Sequence, residues 1–99
     1  MPKYSFYEIR EIMEKMLAAH IEPELRLFLN DKEYMIIGFE NEYSFQRCGT
    51  DFSSGEYFFR TLEDLYRSET IDGIVLQRDW PKITGFECTD YEWYYGKNF

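Results

Sequence analysis

Residues 24–48, ELRLFLNDKEYMIIGFENEYSFQRC, decide the fold. Leu25, Leu27 and Leu29 alternate with Arg26 and Phe28. That is the period of a strand with one buried face, because successive strand side chains point to opposite sides. NDKE supplies turn chemistry. YMIIGF is a short apolar run rich in residues that fit a pleated surface, as in a central strand. ENE makes the next turn, and Tyr43, Phe45 and Arg47 then alternate with Ser44, Gln46 and Cys48. Three runs joined by short polar turns predict an antiparallel meander.

Upstream, SFYEIREIMEKMLAAH (5–20) reads as an amphipathic helix. Ser5 and Glu8 have capping-box spacing. Ile9, Ile12, Met13, Met16 and Leu17 follow the helical i, i+3, i+4, i+7 rule, and Phe6 extends their face. Pro23 biases Glu22 away from helical geometry, so the helix should end near His20.

Downstream, GTDFSSGE is a loop by composition. Tyr57–Phe59 reads as a fourth short strand or the lead-in to a helix that Thr61 and Asp64 would start, with Leu62, Leu65 and Tyr66 on its apolar face. In TIDGIVLQRDWP, Asp72–Gly73 is a turn signal of the kind found in hairpins. Leu76 and Trp80, four apart, instead favour a short helix after the turn. KITGFEC reads as a last strand. The order predicts a single α+β domain over 1–99. In it an N-terminal amphipathic helix and a second short helix pack on one face of an antiparallel sheet of four to five strands.

The stretch TLEDLYRSETIDGIVLQRDW resembles a segment of small uncharacterised bacterial α+β proteins. In these a short helix runs into an Ile-Asp-Gly turn, followed by a Leu and a Trp. The resemblance covers a fifth of the chain. It implies a helix after Gly73 and a bacterial origin, and it assigns no catalytic residue.

A chain of 99 residues carries one modest core, burying roughly 60–65% of its unfolded surface. Aromatic residues make up 20% of it, more rings than so small a core readily holds. A net charge of −8 disfavours direct contact with nucleic acid or anionic lipid. No apolar run approaches a membrane span, and no charged segment followed by an apolar stretch opens the chain, so a cytoplasmic protein is expected. Cys48 and Cys88 are too few and too distant for a disulfide scaffold or zinc site, and read as small buried hydrophobes whose thiols would meet only if their strands were neighbours.

The residues point away from catalysis. His20, the single histidine, falls on the apolar helix face in its last turn and reads as structural. The nineteen carboxylates give close pairs at turns, Asp31 with Glu33 and Glu40 with Glu42. Turn carboxylates lie in water, which does not drive their acidities apart as acid–base chemistry requires. GTDFSSG lacks the lysine of a phosphate-binding loop. No enzyme activity and no cofactor or metal are expected.

The ending YEWYYGKNF holds five rings in nine residues. Its large apolar residues change alternation around Thr89–Asp90, predicting a break there, with Tyr91, Trp93 and Tyr95 sharing one side of the segment beyond it. These rings either cover the core or anchor a partner, since Tyr and Trp dominate interface hot spots. The first expectation is a noncatalytic protein-binding module that contacts a protein partner or a second copy through Tyr91, Glu92, Trp93, Tyr94 and Tyr95. The alternative is a small-ligand module in which Tyr and Trp rings stack on a ligand beside Asp90 and Glu92. A third is an acidic nucleic-acid mimic or anti-defence protein, using Glu8, Glu11 and Glu14 on the first helix and Asp31, Glu33, Glu40 and Glu42 clustered at strand ends.

Overall fold

The computed structural model describes residues 2–49 and 56–99. The loop expected at 49–56 lies outside them apart from its first and last residues, Gly49 and Glu56, and Glu56 begins a strand instead. Helix α1 spans Phe6–Ala18, and its capping box is present: Glu8 N–H donates to Ser5 Oγ, and Ser5 N–H to the Glu8 carboxylate. Phe6, Ile9, Met13 and Met16 are buried along one stripe. The helix ends two residues before His20, which adopts a left-handed φ of 62° and is exposed. This corrects its expected place on the apolar face: once the chain leaves the helix, the 100° wheel no longer governs where the ring points.

The meander forms as the alternation predicts. Strands β1 (Glu24–Leu29), β2 (Lys32–Gly38), β3 (Tyr43–Arg47) and β4 (Glu56–Phe59) pair antiparallel in chain order, and β5 (Gly85–Glu87) returns to pair with β1. The sheet order is β4-β3-β2-β1-β5. Asn30 and Asp31 both take positive φ between Leu29 and Lys32, which suits the right-handed twist of a two-residue hairpin. Asp31 and Glu33 therefore lie at one end of β2, and Glu40 and Glu42 beyond the other, about 20 Å away at 3.4 Å per residue. The four acids thus sit at strand ends, as two separate pairs.

Register places Leu25, Leu27, Tyr34, Ile36 and Phe45 on one face of the sheet, all buried. They share one cluster with the buried apolar residues of α1, of α2 (Leu62–Arg67) and of α3 (Leu76–Asp79). Phe28, Met35 and Phe58 occupy the opposite face, half-buried or exposed. Gly38 is a close approach: a Cβ there would meet Pro23 Cγ at 3.1 Å.

Between α2 and α3 both readings of the Asp72–Gly73 turn contribute. Glu69 and Val75 form one antiparallel bridge across the turn, and α3 follows at once. Asp72, at φ 57°, is held by Arg47 (3.0 Å) and by the buried Tyr34 hydroxyl (2.7 Å). The last strand is shorter than KITGFEC, because Lys82 belongs to a 3-10 turn and only Gly85–Glu87 pair with β1. Cys48 and Cys88 lie just past the ends of β3 and β5, which are not neighbours in the sheet. Both thiols are free, and burial pushes both up in pKa, away from the reactive thiolate. No helix among the described residues is long and apolar enough to cross a membrane.

Candidate functional site

The break expected at Thr89–Asp90 is the start of a helix, α4 (Thr89–Tyr95). It closes on Gly96, whose left-handed φ of 65° forms the turn that ends many helices. Helical spacing redistributes the rings. Tyr91 and Tyr95 are four apart and share a face, with centroids 4.8 Å apart, packed against the core. Trp93 projects to the other side and is 84% exposed, and Tyr94 is 50% exposed. Tyr91, Trp93 and Tyr95 thus do not share a side: the two-residue alternation read from the sequence belongs to a strand, and the segment is helical.

The inner face of α4 is fastened at several points. Asp90 Oδ2 accepts the Glu24 N–H of β1 (3.2 Å). The Tyr95 ring lies 5.4 Å from Lys15 Nζ of α1. Past Gly96 the chain turns back and buries Phe99, whose ring meets Tyr91 edge-on at 5.1 Å and Tyr4 at 4.8 Å. The Phe99 N–H donates to Glu92 Oε2 (3.0 Å), and its backbone oxygen accepts from Lys3 Nζ (2.6 Å) and from the Tyr4 hydroxyl. Tyr4 is held in turn, since its carbonyl accepts the Trp80 indole N–H at 2.9 Å. The route from Trp80 through Tyr4 and Phe99 makes α4 a fixed pedestal.

Of the five residues singled out in the tail, two are exposed rings, two are packed rings, and Glu92 is an internal acceptor. Asp90 and Glu92, the expected polar partners for a stacked ligand, already hold backbone N–H groups. Among the described residues, shallow cavities of about 380, 300 and 290 Å³ are lined by residues of other elements. That of 380 Å³ lies between His20, Glu22 and Glu40 at the end of α1. Of the acids of α1, Glu8 caps the helix and Glu14 faces Arg10, which bonds Glu63 of α2 at 2.6 Å, while Glu11 is exposed.

Sequence reasoning missed the latch formed by Phe99. Its signal was available in the spacing 91, 95, 99, one ring every four residues, with a glycine at 96. No protein-family model matches the chain, and no curated protein and no solved structure does.

Proposed function

We propose that this chain is a noncatalytic protein-binding module whose contact centres on Trp93 and Tyr94. One observation carries the reading: Trp93 is 84% exposed on a helix whose other face is packed and hydrogen-bonded in place. A tryptophan ring of roughly 200 Å² left in water forgoes on the order of 4–5 kcal/mol of transfer free energy. Because the rest of the helix is packed and hydrogen-bonded, a partner that covers the ring has only its side chain to order, which lowers the cost of using it as an anchor. The net negative charge favours a basic rim on the partner. A second copy meeting the same surface is a variant of this proposal. The bacterial, cytoplasmic setting implied by residues 61–80 and by composition belongs to the proposal as well. The ligand-binding alternative ranks behind, because Trp93 and Tyr94 stand on a convex helix and the nearby carboxylates are already engaged.

Trp93→Ala should weaken binding to the captured partner by about 2 kcal/mol or more, roughly 30-fold in Kd. Fold stability should move by less than about 0.5 kcal/mol, as for exposed positions generally. Titration calorimetry and urea denaturation on the same preparations check both halves. Lost stability with unchanged affinity would make Trp93 a structural ring and remove the proposal.

A further inference from the structure

Strand β4 is the edge of the sheet farthest from α4, and those of its backbone groups that bond nothing among the described residues can be identified. The Phe39 N–H donates to Glu42 O and the Cys48 N–H to Glu33 O, each at 2.8 Å, which fixes the bonded positions of the β2–β3 ladder. Bonded and non-bonded pairs alternate along an antiparallel ladder. Ser44 and Gln46 therefore bond to β2, while Tyr43 and Phe45 turn their backbone groups to β4. Their partners are Phe59 and Tyr57. The N–H and C=O of Phe58, and those of Glu56, then point out of the sheet. Tyr57 and Phe58 are also among the exposed large apolar residues, at 40% and 52%. An edge with open backbone groups and exposed rings is a template for another strand.

The charges select the strand. Glu56 and Arg60 flank Phe58 by two residues on either side, both exposed, and neither forms an ion pair among the described residues. The geometry points to a homodimer in which β4 pairs antiparallel with β4 of a second copy about a two-fold axis through Phe58. In that register the two Phe58 residues exchange N–H···O bonds, and each Glu56 lies directly opposite the other copy's Arg60. Moving the axis to Tyr57 keeps the backbone bonds but sets Glu56 opposite Phe58, and moving it to Phe59 sets Arg60 opposite Phe58, so the axis through Phe58 is the register that pairs the two charges. The two five-stranded sheets become one of ten strands. Because β4 and β5 are opposite edges, this contact is independent of the Trp93 surface and leaves it open. A four-residue edge makes a small interface, so the dissociation constant should fall at about 10 μM–1 mM.

Sedimentation equilibrium of the native chain up to about 1 mM should show a monomer–dimer equilibrium in this range. Phe58→Pro removes an N–H that β3 does not use, a substitution edge strands tolerate. It should abolish the dimer while the circular dichroism spectrum and melt stay native. Glu56→Arg and Arg60→Glu should each raise the dissociation constant at least about tenfold, because like charges then face one another at both ends. Mixing these two variants one to one should restore pairing, since each carries the sign the other needs. If Phe58→Pro fails to fold, the charge variants and their mixture carry the test alone. A native chain that stays monomeric at 1 mM overturns the proposal. So does a dimer that survives all three substitutions, and so does an edge occupied only by a foreign extended peptide.

Discussion

Trp80→Ala is expected to lower stability by about 3–5 kcal/mol, whereas the chemically identical change at Trp93 leaves it nearly unaltered. Trp80 is buried at 7% exposure, edge-on to Phe6 (5.7 Å) and Tyr66 (6.0 Å) and tilted against Phe86 (5.8 Å). Truncation leaves a ring-sized void between α1, α2 and the sheet, and close-packed interiors fill such a void only in part. It also removes the indole N–H from the Tyr4 carbonyl. Tyr4 holds Phe99, so the loss spreads to the latch that fixes α4. Urea denaturation of both variants gives the comparison, and hydrogen exchange should show faster opening of α4 in Trp80→Ala. Equal destabilisation by the two substitutions would contradict this assignment of roles.

The second large effect belongs to Asp79. Its buried carboxylate accepts the Val75 N–H at 3.1 Å, reaching back to the residue that caps α3. Arg78 meets both its oxygens, at 3.0 and 2.8 Å, and Lys82 approaches to 3.4 Å. Arg78 also donates to the Gly73 carbonyl at 2.9 Å, tying the preceding turn to the same centre. These contacts, the Arg78 hydrogen bonds first, hold the Asp79 carboxyl well below the usual carboxylate range despite its burial. A group whose folded pKa is depressed stabilises the fold above its unfolded value near 3.9, and that contribution is lost as pH falls toward the folded value. Asp79→Asn should therefore cost about 2 kcal/mol at pH 7. That is less than the 3–5 kcal/mol for breaking a fully buried pair, because Arg78 and Lys82 reach the site from solvent. The gap between native and variant should narrow steadily as pH falls from 4 to 2. A gap independent of pH would mean that the charge contributes nothing.

The sheet was legible because its two signals agree. Alternation in 24–29 and 43–47 and the Asn30–Asp31 turn each specify the same register, and a slip of one residue would turn every leucine of β1 to solvent. Helix α1 was legible for a similar reason, as capping box and apolar stripe coincide. Helix α4 was not. Threonine, aspartate, tyrosine and tryptophan are middling helix formers, and three consecutive large residues fit a strand as readily. What decides between them is tertiary: Tyr91, Tyr95 and Phe99 reach the core together only with helical spacing. The side of the helix on which Trp93 lies depends on that decision, so the candidate site was legible as a group of residues and illegible as a surface. Asp79 was passed over because a carboxylate between an arginine and a tryptophan carries no sign of burial in the sequence.

The most direct test of Trp93 and Tyr94 as an anchor is capture from native lysate with the tag on a flexible linker ahead of Pro2. The comparison should be the native chain against Trp93→Ala/Tyr94→Ala. Cutting the chain at Asp90 is a poorer control, because it also removes the packed rings of Tyr91, Tyr95 and Phe99. An anchor at these two rings predicts one protein in stoichiometric amount with the native chain, absent with the double variant, while both chains melt at the same temperature. The same proteins recovered with both chains, or none with either, would contradict it.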